Sequence, residues 1–96
     1  MKIDFTKNNG VLRVAVEGRL DTTTASEFEG FLNKNYEEAD TIVIDCESLS
    51  YISSAGLRVL LSAQKKTKGK MKLVNVCEVV MEVFEMTGFA DILTIE

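Results

Sequence analysis

Apolar and polar residues alternate along Lys2-Ile3-Asp4-Phe5-Thr6 and again along Val11-Leu12-Arg13-Val14-Ala15-Val16, with Lys7-Asn8-Asn9-Gly10 between them. Alternation with a period of two puts one face of a strand in a core, and Asn-Gly supplies the positive-φ turn of a tight hairpin. The chain therefore opens with two antiparallel strands. In the second, Leu12, Val14 and Val16 face the core while Val11, Arg13 and Ala15 face away.

The period then lengthens. Ala25, Phe28, Leu32 and Tyr36 fall close to one face of a helix, with Glu27 and Glu29 near its positively polarised start and Asp21 or Thr22 placed to cap it. Thr41-Ile42-Val43-Ile44-Asp45 is a short β-branched run suited to an interior strand. A second helix is expected over about Ser54 to Thr67, with Leu57, Leu60 and Leu61 buried and Gly69 ending it. Arg58, Ser62 and Lys65 lie on its other side, free for a partner. Met71-Lys72-Leu73-Val74 makes a further strand, and Val76, Val79, Val80, Val83 and Phe84 recur at helical spacing up to the stop at Thr87-Gly88. Asp91 to Ile95 is expected to close the chain as a fifth strand. Strand, loop, helix and strand in succession imply a βαβ unit, so the fold class is α/β.

Between the third strand and the second helix stands Tyr51-Ile52-Ser53-Ser54-Ala55-Gly56-Leu57. A serine here can cap the helix by accepting one of the unpaired first-turn N–H groups. A hydroxyl at the positive end of a helix dipole is also a place where a phosphoryl group is tolerated without unfolding. Gly56 costs the helix roughly 1 kcal/mol relative to alanine, which points to a close approach by another backbone or a large ligand.

Composition narrows the chemistry. Ninety-six residues suit one domain, 1–96, and a net charge of −4 offers no general attraction for nucleic acid. Lys65, Lys66, Lys68, Lys70 and Lys72 read as a solvated helix end. No apolar run reaches the roughly 20 residues of a membrane span, and no charged-then-apolar leader is recognisable, so the expectation is a cytoplasmic protein without membrane insertion. With no histidine, neither a Ser-His-Asp nor a Cys-His arrangement can be built, and Cys46 and Cys77 make neither a CxxC pair nor a zinc site. Both cysteines read as small core residues. The chain lacks a phosphate-binding Gly-x-x-x-x-Gly-Lys-Ser/Thr loop and a carboxylate motif for a metal. No cofactor, no metal and no catalysis are expected.

The serine stretch resembles the phosphorylation-site loop of the anti-sigma factor antagonists (anti-anti-sigma factors) of the STAS domain family. The likeness extends along most of the chain: Gly18-Arg19-Leu20-Asp21 followed by Thr24, Ile42 to Asp45 followed by Leu49 to Ile52, Gly56-Leu57, and Phe84-x-Met86-Thr87-Gly88. It implies a small single-domain fold, a mixed sheet of about five short strands with the helices packed largely on one side. It also implies that Ser54, two positions before Gly56-Leu57, is phosphorylated by an anti-sigma factor serine kinase and released by a serine phosphatase. The best-known members carry an aspartate immediately before that serine; this chain carries Ser53, an alternative acceptor. The implied partner surface comprises Asp21, Thr22, Thr23, Thr24, Ser53, Ser54, Ala55, Gly56, Arg58 and Ser62. An unmodified chain would sequester the anti-sigma kinase and release sigma factor. The alternative within the family is a STAS subunit of a transporter assembly, such as a lipid-exporting ATPase, with the serine loop in permanent contact.

Overall fold

A computed structural model describes residues 1–96. The strands are β1 (Lys2–Asn8), β2 (Val11–Leu20), β3 (Thr41–Asp45), β4 (Leu49–Ile52) and β5 (Met71–Val74). The helices are α1 (Ala25–Asn35), α2 (Ser54–Lys66) and α3 (Glu78–Thr87), with short 3-10 turns at Tyr36–Glu38 and Phe89–Asp91.

The hairpin forms as the pattern requires. Asn9 and Gly10 both take positive φ, 52° and 82°, the backbone of a two-residue turn whose twist matches its strands. β1 pairs antiparallel with β2, placing Ile3 opposite Val16 and Phe5 opposite Val14. The rest of the sheet is parallel, in the order β1-β2-β3-β5. On the edge away from β1, β2 is long enough to serve two partners: Val11 to Ala15 pair with β3, and Gly18 to Leu20 pair with β4. The register shifts between Gly18 and Arg19, where Gly18 has φ of 103°. That irregularity turns the end of β2 away from β3 and onto β4.

Only one face of the sheet is covered. Leu12, Val14 and Val16 of β2, Ile42 and Ile44 of β3, and Met71 and Leu73 of β5 are buried with Phe28, Leu32, Leu57, Leu60, Val80 and Phe84 from the three helices. Val11, Arg13 and Ala15 lie on the opposite, exposed face, where Arg13 pairs with Asp45 at 3.0 Å. The helices thus pack on one side of a mixed five-stranded sheet.

Three expectations are corrected. The fifth strand is Leu49–Ile52, not Asp91 to Ile95; the C-terminal segment forms a 3-10 turn and touches the sheet through one bridge, Leu73 to Ile95. Val79 is exposed, so α3 buries Val80 and Phe84, with Met81 packed partly against the core. In α2 the buried set is Gly56, Leu57, Val59, Leu60 and Ala63, and Leu61 is only half-buried. The terminations hold: Gly69 and Gly88 take φ of 84° and 82°, with Gly88 the left-handed C-cap of α3.

Candidate functional site

The serines sit where β4 hands over to α2, and they divide the work. Ser53, in extended conformation, is the N-cap, and its Oγ accepts the Gly56 N–H at 3.5 Å. Ser54 is the first helical residue; it is exposed, and its hydroxyl takes part in no hydrogen bond within the chain. One hydroxyl closes the helix and the next is left free.

Two contacts fix this handover against the end of β2. The Ser53 N–H donates to the Leu20 carbonyl at 2.9 Å. A Cβ on Gly56 would lie 2.9 Å from that same carbonyl and 2.8 Å from side-chain atoms of Leu20 and Ile52. The close approach expected at Gly56 is therefore internal: the backbone that needs the space is β2, not a partner's. Gly56 itself is buried, enclosed by Leu20 and Ile52.

Because Leu20 abuts Ser53, the loop after it lies beside the serine stretch. Asp21 organises that loop: its Oδ1 accepts the Thr23 N–H at 3.0 Å, the Thr23 hydroxyl at 2.7 Å and the Thr24 N–H at 3.2 Å. The Thr23 hydroxyl is the largest influence holding the Asp21 carboxyl below its ordinary value; desolvation opposes it, and the Thr23 and Thr24 bonds add to it. The Thr24 hydroxyl donates to the Arg19 carbonyl at 2.8 Å. Thr22 and Thr23 are exposed. The capping expectation is corrected in detail. α1 begins at Ala25, and Thr24 occupies the N-cap position, but its side chain accepts from no N–H of the helix. Asp21 secures the turn before the helix, its carbonyl accepting the Ala25 N–H at 2.8 Å, and Thr22 caps nothing.

Arg19 and Tyr51 join the two halves of the site. The guanidinium carbon lies 4.0 Å from the Tyr51 ring centroid, within cation–π range, and Nε lies 3.7 Å from Asp21 Oδ2. The Ser50 hydroxyl donates to the Gly18 carbonyl at 3.0 Å, closing the same seam. Leu49 to Ile52 carry no strand pattern of their own, so the pairing of Arg19 with Tyr51 is not visible in the sequence. The available signal was the run Gly18-Arg19-Leu20, which continues the β2 strand past Val16 and needs a partner.

Along α2, Ser54 and Arg58 are exposed, Ala55 and Ser62 half-buried. Positions four apart on a helix are neighbours on its surface, so Ser54, Arg58 and Ser62 form one line. The structure thus brings Asp21, Thr22, Thr23, Thr24, Ser53, Ser54, Ala55 and Arg58 to one end of the domain, with Ser62 two turns away along α2. The largest surface hollow, about 200 Å³ and lined by Lys7, Asn8, Gly10, Asn35 and Glu38 among others, lies at the opposite end of β2.

The cysteines stand apart from this chemistry. Cys46 is buried just after β3, and desolvation, with lesser contributions from Asp45 and Cys77, pushes its thiol up to about 12. Cys77 is free and half-buried at the N-cap position of α3, its thiol donating to the Leu49 carbonyl at 3.4 Å. No helix is long and apolar enough to cross a membrane.

The STAS domain model matches residues 2–96, so the chain belongs to the STAS domain family. It is 34% identical over 96 residues to BtrV of Bordetella bronchiseptica, provisionally named an anti-sigma factor antagonist, covering 96% of this chain and 83% of BtrV. It is 29% identical over 98 residues to the anti-sigma-B factor antagonist of Bacillus subtilis, covering 99% of this chain and 90% of that protein. Among solved structures, an anti-sigma factor antagonist from Mycobacterium paratuberculosis superposes with a TM-score of 0.87 at 21% identity, over 98% of this chain and 83% of that one. The Bacillus cell fate determinant SpoIIAA in its phosphorylated form superposes with a TM-score of 0.75 at 17% identity, over 99% and 91%.

Proposed function

We propose that this chain is an anti-sigma factor antagonist whose binding is switched by phosphorylation of Ser54. The observation that carries the reading is the division between the serines: Ser53 holds the helix cap, while Ser54 stands exposed and unpaired one residue later. The likeness to named antagonists over nearly the full chain supports it.

The chain contributes a positioned hydroxyl, and an anti-sigma factor serine kinase supplies ATP, metal and base. The Ser54 oxygen attacks the γ-phosphorus, its proton passes to the kinase base, the bond to the β-bridging oxygen breaks, and ADP leaves. The new group carries about −1.5 to −2 charges at neutral pH. At the start of α2 the unpaired N–H groups and the helix dipole stabilise that anion, so the fold survives while the docking surface changes sign. Unmodified, the chain sequesters the anti-sigma kinase and releases sigma factor. A serine phosphatase restores that state. The chain works as a cytoplasmic binding module and not as an enzyme.

The test is incubation with a cognate anti-sigma kinase and ATP, read by intact mass and site mapping. One phosphoryl group on Ser54 is expected. Ser54→Ala should bind and stay unmodified, and Ser54→Asp should lose binding. Phosphate on another residue, or equal binding by parent and both variants, overturns the reading. Copurification with a transporter ATPase, regardless of the state of Ser54, would favour the transporter-subunit alternative.

A further inference from the structure

The charges are segregated along the chain. Between Ser48 and Cys77 there are six lysine or arginine residues and no carboxylate, whereas all fifteen Asp and Glu residues lie outside that stretch. This acid-free segment includes the whole of α2. Most of its cations are uncommitted. Lys2, Lys7, Arg13 and Arg19, all outside the segment, pair with carboxylates of the chain. Within it, Lys72 reaches Glu96 and Lys66 reaches Asn33, but the side chains of Arg58, Lys65, Lys68 and Lys70 have no partner and are exposed.

Geometry lines them up with the serine. Ser54, Arg58, Ser62 and Lys65 follow one another at helical spacing along the outer face of α2, with half-buried Leu61 between them and Lys68 and Lys70 just beyond the helix. A protein of net charge −4 thus keeps an unpaired cationic strip along α2 that runs from the modification site, with one further unpaired lysine, Lys34, exposed in the last turn of α1. Resting on the function proposed above, we infer that this strip docks a carboxylate-rich surface of the anti-sigma kinase, and that Arg58 serves both states of the switch. Unmodified, Arg58 pairs with a carboxylate of the kinase. Phosphorylated, Ser54 presents its anion one turn away, Arg58 turns to it, and the kinase loses its counter-ion while meeting a like charge. The strip is narrow, one helix face flanked by acidic elements, which fits a complementary protein surface better than the uniform charge of a nucleic acid or a lipid bilayer.

The experiment uses the full chain and the kinase that phosphorylates it, with affinity measured by calorimetry from about 50 to 300 mM NaCl. Binding of the parent is expected to weaken about tenfold over that range. Arg58→Glu and Lys65→Glu should each weaken low-salt binding at least tenfold and flatten the salt dependence, whereas Lys2→Glu on β1, the same change in net charge, should leave both unaltered. Phosphorus NMR titration of the phosphorylated chain supplies a readout that needs no partner: Arg58→Gln should raise the second ionisation of phosphoserine 54. Kinase binding that is independent of salt and of both reversals overturns the inference while leaving the switch intact; failure of any kinase to bind overturns both. Strip-dependent binding to duplex DNA or anionic vesicles, with kinase binding unchanged by the reversals, also overturns it.

Discussion

The Ser53 amide donates to the Leu20 carbonyl at 2.9 Å, a bond that ties the serine pair to the end of β2. The same carbonyl limits what can stand at position 56, so strand end, glycine and helix start form a single unit.

Gly56→Ala tests that unit. Alanine is the better helix former by roughly 1 kcal/mol, yet its methyl would meet a backbone oxygen at 2.9 Å that cannot retreat without moving β2. Overpacking of this kind typically costs about 1–3 kcal/mol. The variant is expected to melt lower by about 5 °C or more, and thermal denaturation followed by circular dichroism checks it. An unchanged or raised melting temperature would show that α2 can shift away from Leu20.

How much was legible in the chain follows from such contacts. The hairpin, the interior strand Thr41–Asp45, both ends of α2 and the stop at Gly88 rest on local signals: alternation, β-branching, an Asn-Gly turn and glycines at positive φ. Each was readable. β4 was not, because its buried residues are Leu49 and Ile52, three apart, with exposed Ser50 and Tyr51 between them. That spacing mimics neither a half-buried strand nor a fully buried one, and the strand exists because the Gly18 irregularity frees the end of β2 to pair with it. Asp91 to Ile95 is the opposite case: its pattern suggests a strand, but the segment satisfies its backbone largely through a 3-10 turn and a single bond to Leu73, with Glu96 adding a second just beyond it. The site serine came from family likeness; its exposure and the internal role of Gly56 needed the fold.

Acid should loosen the domain through Asp45. Desolvation raises its carboxyl, but bonds from the Glu47 N–H, Asn75 and Arg13, with the Arg13 charge, outweigh it and hold the carboxyl below 3.8. A folded-state value below the unfolded one stabilises fully above the unfolded value, and the gain is lost as pH falls through the folded value. Denaturant unfolding of the parent between pH 7 and pH 2 should therefore show falling stability below about pH 5. Asp45→Asn should be weaker at pH 7 and fall less steeply, the two curves converging at low pH. Parallel curves would sink the assignment to Asp45.

Thiol labelling separates the two cysteines. Cys46 is buried with its thiol pushed up to about 12, so native protein at pH 8 should leave it unlabelled by iodoacetamide. Cys77, half-buried, should take up label slowly, and denaturant should expose both. Intact mass after timed quenching distinguishes the cases; rapid native labelling of Cys46 would mean that the end of β3 opens readily.

The serines should part company in stability and in chemistry. Ser53→Ala removes the cap of α2, but the bond it removes is long, 3.5 Å, so the cost should sit at the low end of capping effects, about 0.5 kcal/mol. Ser54→Ala removes a hydroxyl that bonds to nothing in the chain and should leave stability within about 0.5 kcal/mol of the parent. Phosphate uptake should run opposite: retained in Ser53→Ala, absent in Ser54→Ala. Chemical denaturation and phosphosite mapping on the same two variants provide both comparisons. A Ser54→Ala variant that still accepts phosphate at Ser53 would mean that the capping hydroxyl leaves the helix to react, and the division of labour between the two residues would have to be abandoned.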